Sequence, residues 1–175
     1  MKWLLLVYKV PSTPTRHRVA VWRDIRRIGA LALQPSICAL PNAVGNRRSL
    51  VKLAAMVEGI GGEASLLLAK GLDRSTTLRL ESGYTKVIEE EFVELLDECR
   101  KFRKEVEKEI RMERFTLAEL AEEEESFDRL ERWLERLSTK DFFGAPSRTS
   151  AEIRIKECGA LLERFAEKVL KAEES

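Results

Sequence analysis

Five arginines fall between positions 16 and 27, namely Arg16, Arg18, Arg23, Arg26 and Arg27, with His17 among them. Guanidinium groups stay protonated at neutral pH, so they do no acid–base work. They bind phosphate and other oxyanions through paired N–H···O bonds. At helical spacing Arg16, Arg23 and Arg27 project within about 40° of one another, with Arg26 beside them. Val21, Ile25 and Ile28 take the opposite side. A second basic group, Arg47, Arg48 and Lys52, follows. The pattern fits phosphate contacts, which give salt-dependent and sequence-tolerant affinity for DNA. Arg18 stands apart, at an angle between Ile25 and Trp22, so it must snorkel or have a fixed partner. Arg16, His17 and Arg18 sit at the helix's N-terminal end, where free backbone N–H groups also attract anions. Together they form a candidate oxyanion site.

Other chemistry is thinly represented. His17 is the sole histidine, and Cys38, Cys99 and Cys158 are far apart with no CxxC, so neither a metal cluster nor a disulfide framework is expected. The natural reading of the cysteines is three reduced thiols; Cys38 is also a candidate reductant of a bound oxyanion. Gly59–Gly62 (GIGG) precedes a strand instead of opening a helix after one, which makes it a helix stop and not a phosphate loop. No cofactor and no catalytic activity are expected. Asp24 is expected to pair with a neighbouring arginine.

The near-neutral total hides an uneven distribution of charge. Residues 1–80 carry 13 Lys+Arg against 4 Asp+Glu, and residues 81–175 carry 18 against 26. A basic half suggests an anionic partner, although the acidic half could itself occupy the arginines. The apolar run Trp3–Tyr8 is too short for a membrane span, and Lys9 interrupts it, so a cytoplasmic protein is expected.

The elements that would hold the arginines are legible. Lys2–Val10 reads as a strand buried on both faces. Thr13 reads as an N-cap with Pro14 at the first helical position, and the helix runs from about Thr15 to Ile28 with Gly29 ending it. Ala30–Gln34 and Ser36–Leu40 form two short strands around Pro35. Asn46 is expected to cap a second helix from Arg47 to about Glu58, and Glu63–Ala69 supplies a last strand. The order βαββαβ predicts an α+β, ferredoxin-like sandwich over residues 1–72. Residues 73–84 read as a polar connector with Gly83 as a breaker.

Residues 85–175 read as an acidic, antiparallel helical hairpin or three-helix bundle. Ile88, Phe92, Leu95, Cys99, Phe102 and Val106 recur at alternating spacings of 4 and 3, a heptad seam. Thr116 with Glu119, and Thr149 with Glu152, look like capping boxes that start two further helices. Their seams are Leu120, Phe127, Leu130, Leu134 and Leu137, then Ile155, Cys158, Leu162, Phe165 and Val169. Glu122–Glu125 reads as a solvated first turn.

The stretches Trp3–Pro11 (WLLLVYKVP), Arg18–Arg23 (RVAVWR), Arg27–Ala30 (RIGA) and Leu33–Pro41 (LQPSICALP) resemble the N-terminal domain of ChrB-type chromate-resistance regulators. So do Tyr84–Arg100, Arg114–Glu119 (RFTLAE), Arg132–Arg136 (RWLER) and Lys140–Gly144 (KDFFG), which extends the resemblance over nearly the whole chain. The resemblance implies a bacterial protein of chromate resistance, whose N-terminal region is associated with DNA binding and chromate-responsive control of an efflux operon. A second, C-terminal domain is common in such proteins, and this sequence is expected to lack it. A more remote similarity runs to small ferredoxin-like CRISPR-associated nucleases and to the central domain of the phenylacetate-catabolism repressor, through the basic helix and the Gln34-x-Ser36 hairpin. Those nucleases place a metal-binding Asp where this chain has Tyr8-Lys9, and an ammonium there repels Mg²⁺. A non-catalytic regulator is the expectation. A homodimer formed through sheet edges or long helices is also expected, with DNA and chromate or a related oxyanion as partners.

Overall fold

The computed structural model describes residues 1–174 and contains two compact units, Met1–Val87 and a second from Ile88 onward. In the first unit β1 (Trp3–Lys9), β2 (Leu31–Gln34), β3 (Ile37–Pro41) and β4 (Glu63–Ala69) form one antiparallel sheet in the order β2-β3-β1-β4. Helices α1 (Thr15–Arg27) and α2 (Val44–Gly59) complete the ferredoxin-like βαββαβ order. Alternation along β1 puts Leu4 and Leu6 toward α2 and Trp3 and Leu5 on the reverse side. Leu6, Cys38, Leu40, Leu50 and Val57 are essentially inaccessible and form the core on the helix side.

The reverse face is covered too. Helix α3 runs unbroken from Arg74 to Arg111, so residues 73–84 are its beginning and not a connector. Asp73 caps it, accepting from the Thr76 backbone N–H at 2.6 Å and from the Thr76 hydroxyl at 3.1 Å. Those bonds hold the Asp73 carboxyl below its ordinary range. Gly83 does not break the helix. It lets the helix approach β2, because a Cβ there would lie 3.2 Å from Leu31 Cδ2. The inaccessible Tyr84 ring meets Trp3 edge-on at 6.0 Å. Tertiary packing outweighs the low helix propensity of glycine here.

Two other local expectations are corrected. Pro14, in extended conformation, occupies the N-cap of α1, leaving Thr13 outside, and no side chain caps that end. Asn46 lies inside α2, whose N-cap is Ala43. Its amide instead donates to Pro41 O at 2.9 Å and ties the helix to β3. The turn between β2 and β3 is set by Pro35 and by Ser36, which takes φ 72.

In the second unit, α3 packs with α4 (Leu117–Lys140) and α5 (Arg148–Glu173) as a three-helix bundle. The expected seam holds, since Ile88, Phe92, Leu95, Cys99 and Val106 are fully buried. Phe102 lies 5.9 Å from Phe127 of α4, and Gly159 lets α5 approach the same ring. The Thr116 hydroxyl caps α4 as expected, accepting from the Glu119 N–H at 3.2 Å. At α5 the Thr149–Glu152 box is replaced by Ser147, whose N–H and hydroxyl both donate to the Glu89 carboxylate of α3, at 2.9 and 2.5 Å. Among the described residues no helix is long and apolar enough to cross a membrane.

Candidate nucleic-acid interface

The amphipathic α1 buries Val21 and Ile25 and leaves all five arginines exposed. Arg16 and Arg23 make no ion pair or hydrogen bond among the described residues. Arg27 Nε is bonded to Asp24 Oδ1 at 3.0 Å, the pairing expected for that carboxylate. The Arg26 guanidinium lies 4.9 Å from the centroid of Trp22, whose indole is also exposed. An exposed indole beside free guanidinium groups adds a flat stacking surface to the charge. Sequence reading placed Trp22 only as a flank of the apolar side.

Helix α2 lies beside α1 on the same face of the sheet. Its Arg47, Arg48 and Lys52 are exposed. Arg47 Nη2 donates to Asn42 Oδ1 at 3.2 Å, and Arg48 and Lys52 make no side-chain hydrogen bond or ion pair among the described residues. Both basic groups are thus exposed on neighbouring helices, with Arg47 at a groove beside β4.

Arg16, His17 and Arg18 do not converge. Positions two apart on a helix face different ways. Arg18 instead borders a cleft of about 750 Å³ between α1, the end of β1 and the β2–β3 turn, where Tyr8, Trp22, Gln34 and Ser36 also lie. His17 is half-buried, its Nδ1 is without a hydrogen-bond partner, and it does not border the cleft. Burial pushes the Tyr8 hydroxyl above its ordinary value, and nearby Cys38 adds to this against the opposing Ser36 backbone bond. The cleft is thus a largely apolar depression bordered by Arg18, whose guanidinium has no partner among the described residues, and built from residues distant in sequence.

The thiols are buried. Burial raises Cys38 to about 11, which leaves it protonated and weakly nucleophilic at neutral pH. Cys99 and Cys158 face each other across α3 and α5, the Cys158 thiol donating to Cys99 O at 3.7 Å. The Cys158 thiol beside the Cys99 thiol, and then burial, hold Cys99 above its ordinary value. Among the described residues no group of His, Cys, Asp and Glu is arranged to hold a metal ion. Tyr8 and Lys9 sit at the end of β1 opposite Ala64 and Glu63 of β4.

The acidic run Glu122–Glu125 is not the solvated first turn expected, because it lies beyond the first turn of α4 and Glu123 is only 4% exposed, with Glu109 of α3 only 2%. Both occupy seam positions, Glu109 continuing Phe102–Val106 and Glu123 preceding Phe127–Leu130 at the same alternating spacing. Lys108 Nζ and Arg114 Nη1 approach Glu109 at 3.6 Å. Burial, reinforced by Glu105, Glu122, Glu109 and Glu119, raises Glu123 to about 7. A carboxyl held above its unfolded value binds its proton more tightly when folded. Its contribution is therefore full below pH about 4.3 and is lost as pH rises through about 7. Glu123→Gln is expected to raise stability at pH 8 by about 1–3 kcal/mol and to leave it nearly unchanged at pH 4, as read by urea unfolding at the two pH values.

A family model described as Protein ChrB, N-terminal, matches residues 18–175. Protein ChrB of Cupriavidus metallidurans is 35% identical over 71 residues, which is 41% of this chain and 22% of that protein. The chain thus matches about a fifth of the length of that curated relative. No solved structure matches.

Proposed function

The chain belongs to the ChrB N-terminal family, and from that premise we propose that it is a chromate-resistance regulatory protein that binds duplex DNA through the exposed face of α1. The observation that carries this reading is the pair Arg16 and Arg23, exposed and free of ion pairs, beside the stacked Arg26 and Trp22. Arg27 contributes after exchanging Asp24 for a phosphate, and Arg47, Arg48 and Lys52 extend the field. The protein acts by binding and not by catalysis, in the cytoplasm and as a homodimer, which doubles the basic surface to suit a palindromic site. A second reading, binding of chromate or a related oxyanion, is favoured at Arg18, whose unpaired guanidinium borders the cleft. That placement differs from a cradle made jointly with Arg16 and His17.

The test is a fluorescence-anisotropy titration of the duplex upstream of the protein's own coding sequence, against a scrambled duplex, with chromate or sulfate added. Tighter binding to the upstream duplex, relieved by chromate but not by equal sulfate, is the expected result. Equal affinity for both duplexes reduces the reading to a non-specific basic surface, and absence of binding removes it.

A further inference from the structure

The two edges of the sheet differ in how they are protected. Strand β2 has four residues, a register irregularity between Ala32 and Gln34, and Pro35 at its end. Short length, bulges and proline all discourage a further strand from pairing. Strand β4 has none of these. Its seven residues pair with β1 without a break, from Trp3↔Ala69 to Lys9↔Glu63, while its other side lies at the sheet edge. Ser65–Ala69 carries no charge and no proline.

This unprotected edge is also apolar on both faces. Leu66, Leu67 and Leu68 are 44%, 50% and 52% exposed. Leu66 and Leu68 border a mainly apolar groove of about 300 Å³ with Arg47, Leu50 and Val51 of α2, and Val51 is itself half exposed. Leu67 faces the other way. One added strand, with the helices behind it, would cover both sides at once.

We infer that β4 pairs antiparallel with β4 of a second copy of this chain, joining two four-stranded sheets into one of eight strands. Self-pairing closes as a two-fold dimer, whereas β4 against β2 of another copy would be head-to-tail and would propagate. The ends favour the same arrangement. Glu63 opens the strand and Lys70 follows it, so antiparallel copies bring opposite charges together at both ends, and parallel copies would bring like charges together. A two-fold axis normal to the sheet requires one residue to face its own copy, and the leucines place that residue at Leu66 or Leu67.

The inference rests on the homodimer reading above, and the two fail separately. Sedimentation equilibrium of the whole chain is expected to show a dimer, and Leu67→Lys is expected to raise its dissociation constant at least about 100-fold. Residue 67 is exposed, so circular dichroism of the variant is expected to match wild type. Leu66→Cys or Leu67→Cys is expected to give a covalent dimer on mild oxidation, while Val19→Cys, on the exposed side of α1, does not. A monomeric wild type overturns both readings. A dimer unaffected by Leu67→Lys, with no cross-link at 66 or 67, overturns this one alone.

Discussion

The variant Arg16→Ala/Arg23→Ala/Arg27→Ala is expected to lose duplex affinity by about 100-fold at near-physiological salt, through the loss of about three phosphate contacts. Each contact releases nearly one counterion, so the slope of log K against log salt is expected to fall by about 3. The loss is expected to be uniform across duplex sequences, because phosphate contacts carry no base information. Stability is expected to change little. All three side chains are exposed, and the ion pair sacrificed is the exposed Arg27–Asp24 pair, worth about 0–1 kcal/mol. Anisotropy titrations at four salt concentrations check this. An unchanged slope would place the phosphate contacts elsewhere.

Replacing Gly62 by alanine is expected to cost about 3 kcal/mol, by forcing a methyl group into a packed turn. A Cβ at this position would lie 2.8 Å from both Val57 Cγ1 and Val57 O, and it would collide with the carbonyl oxygen of Lys9. Two of the three atoms belong to backbone, and Val57 is inaccessible, so nothing there can rotate away. The neighbouring Gly59 ends α2 with nothing near its Cβ position. Gly59→Ala is therefore expected to be neutral or stabilising by up to about 1 kcal/mol. Thermal unfolding followed by circular dichroism separates the two: Gly62→Ala is expected to lower the melting transition of the first unit by about 10–20 °C. Equal behaviour of the two variants would contradict the assigned role of Gly62, which is to let α2, the turn and the end of β1 meet. The GIGG stretch is thus a helix stop and a packing point, with Gly61 at φ 79 turning the chain.

The strand and helix order of the first unit was legible because its periods are clean. The continuous apolar run of β1, the 3.6-residue pattern of α1 and the glycines after each helix all point one way. The early turns of α3 were not legible. Residues 73–82 expose polar side chains, and Gly83 carries a low helix propensity. What makes that segment helical is Asp73 at its start and the contacts of Gly83 and Tyr84 with Leu31 and Trp3, which are distant in sequence. The caps failed for a related reason. Thr13, Asn46 and Thr149 have suitable side chains, but chain direction and tertiary partners decided the ends, as with Ser147 on Glu89.

The candidate site was half legible. Spacing alone placed Arg16, Arg23 and Arg27 on one exposed side of α1. It also showed that Arg18 points elsewhere. The cleft that Arg18 borders joins α1 to a hairpin some fifteen residues later, which one helical period cannot reveal. Glu123 and Glu109 were legible in principle, since both fall on the heptad spacing. Their charge concealed a seam position that the neighbouring phenylalanines and leucines had already defined.

The central claim is that duplex DNA lies on the exposed side of α1. The most direct measurement is ¹⁵N-labelled NMR of the whole chain, following backbone and arginine side-chain signals as the upstream duplex is added. The largest shifts are expected at Arg16, Arg23, Arg26 and Arg27 and at the Trp22 indole N–H, with smaller ones at Arg47, Arg48 and Lys52. Shifts confined to α4 and α5, with α1 silent under conditions where the duplex is bound, would contradict it.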